Sequence, residues 1–286
     1  MRIGRNARNA SLIAAVIAAV ATSGAPAAAQ AGPAQTFYER SFVLAADARC
    51  GLFAGPVRAA LDAAAWQARG AALRGGAAEP DLAARAARAR VRASATACDD
   101  ADLAVVRARV EQAFSGWSRL ARMTFEAGRA GWRADRYAFT RPGWRLMQAG
   151  RTGASPVRFG YVGQANDERL TAVVSFVGAP RPYAARVVMR DARLSARPWP
   201  GALPSEGQRM TIWSSGVAPA VTGLTEANGP GDAWTFPAEL GAALARLDPR
   251  EPFVIEFMFR DDSVARARYE AGDFAAGRAF LAMGPV

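Results

Sequence analysis

The apolar pattern of this chain changes period once, near residue 136, and that change limits what the chain can fold into. From about Gln35 to Gly128 the sequence is alanine-rich, poor in β-branched residues and spaced for helices. After about Tyr137 hydrophobic residues alternate with others, and Gly/Pro clusters fall between the runs. A 3.6-residue period buries one stripe of a helix, whereas a period of two buries one face of a strand. The reading is an α+β protein: a disulfide-tied helical bundle over residues 32–135, then an antiparallel β-sandwich or partly open barrel over residues 136–286 carrying two short helices.

Four helices are expected, over about 36–48, 56–74, 80–97 and 100–127. Pro56 and Pro80 stand where first-turn prolines belong, and Gly75 and Gly76 end the second helix. Along the fourth, Leu103, Val106, Val110, Phe114, Trp117, Leu120 and Phe125 recur at steps of three to five, one apolar stripe. Asp99, Asp100 and Asp102 open it as an N-cap with dipole-favoured acids, and lack the Gly and Glu positions of a calcium loop. Arg85, Arg88 and Arg92 share a solvated face of the third helix.

In the second half, Val157-Phe159-Tyr161, Leu170-Ala172-Val174-Phe176, Ala185-Val187-Met189 and Met210-Ile212 mark strands, seven to nine in all. Helices are expected at about 237–246 and 271–282. A hairpin follows Pro252. Matching apolar faces requires an odd loop, read as Asp261–Ser263, which pairs Phe257 with Ala267 and Glu256 with Arg268.

The first 31 residues set the compartment. Arg2, Arg5 and Arg8 precede an uncharged apolar run from Ser11 to Thr22, and Gly24 and Pro26 break it before small residues at Ala27, Ala29 and Ala31. This is the pattern of a Sec signal peptide cleaved after Ala29 or Ala31, and the run is too short to span a bilayer. A bacterial periplasmic or secreted product is expected, with no transmembrane segment in the mature chain. In that oxidising compartment Cys50 and Cys98 form a structural disulfide, closing a loop worth about 4 kcal/mol of chain entropy.

Composition then removes most catalytic chemistry. All 36 basic residues are arginine, so there is no imidazole and no amine. Ser-His-Asp, Cys-His, Ser-Lys and Schiff-base mechanisms are excluded, and Ser214 and Ser215 have no base to activate them. No cofactor or metal site is expected. What survives is a two-carboxylate glycan (peptidoglycan) hydrolase recruiting residues such as Glu239, Glu256, Asp261 or Asp262.

Residues 32–150 hold 18 arginines against 11 acids, and residues 151–286 hold 15 against 14. The basic excess peaks in the segment Arg129–Arg145. There Arg129, Arg133, Arg136, Arg141 and Arg145 interleave with Trp132, Tyr137, Phe139 and Trp144 against one acid, Asp135. Guanidinium planes stack on rings and grip oxyanions bidentately, so Arg129, Trp132, Arg133, Arg136, Tyr137, Arg141, Trp144 and Arg145 are the candidate anion- or glycan-binding residues. The same composition suits a junction at which the helical half meets the β half, with arginine stems covering aromatic rings. Nucleic acid is not an expected partner, given the compartment and the mixed flanking charge.

Near the C-terminus, a strand at Trp234-Thr-Phe236, a helix from Ala238 to Leu247, a hairpin from Phe253 to Tyr269 and Gly272-Asp-Phe274 opening a short alanine-rich helix follow one another. This order resembles the C-terminal part of the invasion-associated locus B family of secreted alphaproteobacterial proteins. The family's cysteines are missing here, and the resemblance implies a periplasmic β-rich module without known catalytic residues. The expected function is that of an exported periplasmic or cell-envelope protein acting as a non-catalytic binding or structural module. Its partner would be an anionic envelope polymer or another envelope protein.

Overall fold

A computed structural model describes residues 32–138, 140–164, 169–176, 178, 180–225 and 229–286. The expected signal peptide and Phe139 lie outside the described residues. Four helices come first: α1 (Pro33–Cys50), α2 (Gly55–Arg74), α3 (Glu79–Ala95) and α4 (Ala101–Ser115). The first three each carry proline in the first turn, where a missing N–H leaves no bond unmade. α2 buries Ala60, Ala63, Ala64, Ala65, Ala68 and Ala72, small side chains that bring neighbouring backbones close. Cys50 and Cys98 are disulfide-bonded, tying the end of α1 to the turn after α3. Buried Asp47 accepts from the Phe53 amide at 2.9 Å and pairs with Arg58, fixing the α1–α2 turn. At the start of α4, the Asp100 carboxylate accepts from the Asp102 amide at 2.8 Å, an N-cap.

The fourth helix is shorter than its apolar spacing suggests. It stops at Ser115; a 3₁₀ turn follows at Trp117–Arg119, and Arg122–Phe125 is a strand, β1. Strand pairing overrides the local helical pattern here. β1 gains a full antiparallel partner in β2 (Trp132–Asp135), and the Arg136 amide takes the Ala121 carbonyl at 2.7 Å.

The remaining strands are β3 (Gly143–Thr152), β4 (Ser155–Gly163), β5 (Arg169–Val174), β6 (Ala184–Arg190), β7 (Arg209–Trp213), β8 (Gly216–Pro219), β9 (Asp232–Thr235), β10 (Pro252–Met258) and β11 (Val264–Glu270). α5 (Glu239–Leu244) precedes β10, and α6 (Phe274–Leu281) follows β11. A seven-stranded sheet runs β1-β2-β3-β4-β5-β9-β8 and a four-stranded sheet β11-β10-β6-β7, with every pairing antiparallel. Neither sheet closes on itself.

Aromatic residues join the two sheets. Trp132 of β2 stacks on Phe253 of β10 at 6.5 Å and meets Phe274 of α6 edge-on at 5.0 Å, while Phe159 of β4 meets Phe253 at 5.4 Å. The helices join the same core through α6, which packs on α2. Arg74, the last residue of α2, grips Asp273 ahead of α6 with two hydrogen bonds of 2.9 and 3.1 Å. Gly70 is required beside this contact, because a Cβ there would collide with the Asp273 carboxylate. Gly32–Val286 thus forms one compact unit.

The β10–β11 hairpin keeps the parity expected from its faces but slips by two residues. Phe257 pairs with Ala265 and Glu256 with Arg266, so the expected partners Ala267 and Arg268 are displaced. The loop is still odd, Arg260–Asp262. Asp262 adopts a left-handed backbone (φ 62°), which lets the Phe259 amide bond the Ser263 carbonyl at 3.0 Å and closes the turn one residue earlier, so that each pairing slips by two.

Candidate functional site

Strand β2 divides the expected Arg/aromatic segment between two environments. Trp132 and Ala134 point into the core, while Arg133 and Asp135 point out with Arg122 and Thr124 of β1, their register partners or near neighbours on the same face. Trp132 is fully buried and donates its indole N–H to the Ala271 carbonyl at 2.8 Å. Arg136 and Arg145 are also buried, at 2% and 1% exposure. These three are packed in the fold. Arg129, Arg133 and Arg141 are exposed, Tyr137 is exposed and Trp144 is half-buried.

Arg136 is held by carbonyl dipoles. Its guanidinium donates to Gly284 (2.6 Å), Leu120 (3.0 Å), Ser118 (3.3 Å) and Met283 (3.4 Å), and lies 5.1 Å over the Phe280 ring. Burial, reinforced by the charge of Arg145, holds its pKa below the ordinary arginine value. Arg145 donates to the Tyr137 carbonyl and is the extra residue of a β-bulge between Trp144 and Leu146. Facing that bulge, Gly160 has no room for a side chain, since a Cβ would meet the Leu146 carbonyl.

The outward residues line a cleft. On the outer face of the large sheet, a cavity of about 350 Å³ lies among Arg122, Arg133, Asp135, Gly143, Trp144 and Gly223. One wall is Gly223, in residues 220–225 after β8, where Leu224 and Thr225 are buried. The Trp144 indole donates to the Leu224 carbonyl at 3.1 Å, and Arg158 donates to the Leu224 and Thr225 carbonyls at 3.2 and 3.0 Å. At the rim, Arg122 pairs with Asp135 at 2.6 Å and lies 4.8 Å over the Tyr137 ring. The Asp135 hydrogen bond raises the Arg122 pKa. Arg133 makes no ion pair among the described residues. The cleft therefore offers one uncommitted guanidinium, a second shared with Asp135, and an indole edge.

Of the eight expected residues, the structure brings Arg133 and Trp144 to this cleft, with Tyr137 beside it through Arg122. It separates Trp132, Arg136 and Arg145 from it by burial. Arg122 and Gly223 were not legible as site residues. Arg122 falls in a stretch spaced like a helix, and Gly223 joins the cleft from a segment distant in sequence, which leaves no periodic signal.

The carboxylates considered for glycan hydrolysis are carried by a strand, a loop and a helix start. Glu256, on β10, lies between Arg186 and Arg266, with Nε–O distances of 2.8 and 2.9 Å. Its partial burial would raise its pKa, but the two guanidiniums outweigh this and keep it low. Asp261 and Asp262 are in the β10–β11 loop, and the Ser263 hydroxyl and amide hold Asp261 below the usual carboxylate value. Glu239 is exposed at the start of α5. Among the described residues no helix is long and apolar enough to cross a membrane. No family model, curated protein or solved structure matches the chain.

Proposed function

We propose that this protein is an exported module of the bacterial cell envelope, periplasmic or secreted, that binds an anionic envelope polymer without transforming it. The observation that carries this reading is the outer-face cleft in which Arg133 points outward, unpaired with any carboxylate among the described residues, beside the Trp144 ring. A guanidinium next to an indole suits the carboxylates or phosphates of a glycan, held by charge at one end and by ring contact along the sugar face. In this reading the two antiparallel sheets form a sandwich that supports the cleft from behind. The order of elements in the last fifty residues, similar to a family of secreted proteins, fits the same role.

Exposed contacts of this type contribute about 0.5–1 kcal/mol each, so binding is weak, multivalent and salt-sensitive. The test is retention of the protein on purified peptidoglycan and on lipopolysaccharide at low and high salt. Arg133→Ala should reduce low-salt retention several-fold with an unchanged melting temperature. Equal retention of the variant and the parent would remove the cleft from the proposal, and release of soluble sugar fragments would overturn its non-catalytic part.

A further inference from the structure

A larger cleft opens elsewhere, where β4, β5 and β9 meet α5 and α6. Its volume is about 570 Å³, within the range of small-molecule sites. The floor is apolar, formed by Leu170, Phe236 and Leu281, and two arginines, Arg169 and Arg278, line it. Arg278 is placed in advance. Its guanidinium lies 5.8 Å over the Tyr161 ring, and one Nη1 hydrogen bond of 3.1 Å to the Gly241 carbonyl fixes it. Tyr161 is itself stacked on Phe274 at 5.9 Å, with its hydroxyl packed where a side chain on residue 241 would otherwise be. The Arg278 guanidinium makes no other hydrogen bond and no ion pair among the described residues, so most of its five N–H donors have no acceptor among them.

A charged donor set above an apolar floor matches a ligand with the same division. We infer that this cleft is a binding site for a small amphipathic carboxylate, its carboxylate received by Arg278, and its apolar body laid over Leu170, Phe236 and Leu281. The site is independent of the outer-face cleft: the two share no lining residue.

Calorimetric titration of the full exported protein with sodium decanoate, decanol, acetate and decyl phosphate tests this. Decanoate should bind, decanol and acetate should bind at least tenfold more weakly, and decyl phosphate should not exceed decanoate. Arg278→Gln keeps a donor for the Gly241 carbonyl while removing the charge, and should weaken decanoate about ten- to a hundredfold, the worth of one charge-assisted pair. Ala282→Trp, which fills the exposed end of the cleft from its rim, should abolish decanoate binding without lowering the melting temperature. No decanoate binding by the folded parent, equal binding of decanol, or an unchanged affinity in Arg278→Gln would overturn the proposal. Tighter binding of decyl phosphate would overturn the carboxylate assignment.

Discussion

The Nε of Arg136 donates to the carbonyl of Gly284 at 2.6 Å, joining the end of β2 to a segment 148 residues further along the chain. The amide of Val286 closes the loop by donating to the Arg136 carbonyl at 3.0 Å. Since the other guanidinium bonds go to Ser118, Leu120 and Met283 carbonyls, truncating the buried Arg136 removes the donor to four carbonyls, that of Met283 buried, and empties a side-chain site in the core. We expect Arg136→Ala to cost about 2–4 kcal/mol, lowering the melting temperature by several degrees or more. Arg133→Ala, three residues away but outward, should leave it unchanged. Thermal melts of the two variants measured together check this; equal melting temperatures would contradict the division of the segment.

Arg190 and Glu251 make a buried bidentate pair, at 2.6 and 2.8 Å, and Glu251 also accepts from the amides of Asp248 (2.7 Å) and Trp199 (3.0 Å). Glu251→Gln keeps the size but leaves the Arg190 charge uncompensated in the interior. A loss of about 3–5 kcal/mol is expected, because breaking one side of a buried pair costs more than the pair contributes. Denaturant unfolding of the variant measures it, and a change below 1 kcal/mol would place the pair among weak surface contacts.

The legible part of this fold follows from how far each signal reaches. α1, α2 and α3 show in the sequence because proline, glycine and alanine spacing act within one helix. β1 does not, because Leu120 and Phe125 extend the α4 stripe in the sequence while pairing with β2, across a short connection, and the bond from the Arg136 amide decide the structure. In the β10–β11 hairpin the facing of Phe253, Ile255 and Phe257 fixed the parity, but the left-handed Asp262 set the absolute register. In the Arg/aromatic segment, composition marked a dense patch, and the alternation of β2 then sent Trp132 inward and Arg133 outward. Arg136 continues that alternation and turns inward on the side of Trp132 and Ala134.

Acid should act on this protein through Asp191. Hydrogen bonds from Arg193 lower its pKa to about 2, against the ordinary 3.8. A carboxyl depressed in the folded state stabilises fully above its unfolded value, and this stabilisation is lost as the pH falls from about 3.8 towards 2. Asp273 has the opposite sign: burial raises its pKa despite Arg74, so its contribution declines as the pH rises through that raised value. Asp191→Asn should therefore flatten the fall in melting temperature between pH 4 and pH 2. A parent and variant with parallel pH profiles would remove Asp191 from the acid response.

Reduction of the Cys50–Cys98 bond frees a loop of 48 residues in the unfolded chain. Chain-entropy reasoning gives up to about 4 kcal/mol, which acts on the unfolded chain and so on the whole fold, while the native tie that is lost joins α1 to the turn after α3. A reducing agent should lower the melting temperature by several degrees and raise amide exchange at the end of α1 and in the turn after α3. Exchange that rose only in the sheets would contradict this placement.

The Arg74–Asp273 grip spans 199 residues, and the Arg136–Gly284 bond 148. In order of synthesis, α2 and the β1–β2 edge are made long before the residues that complete them. The early half of the chain therefore cannot reach its final packing while the ribosome is still adding the late half, and the many distant pairings make folding slow. For the export proposed above, that delay keeps the polypeptide in a form that can be threaded, with the native state assembled after residues 273–286 arrive on the far side.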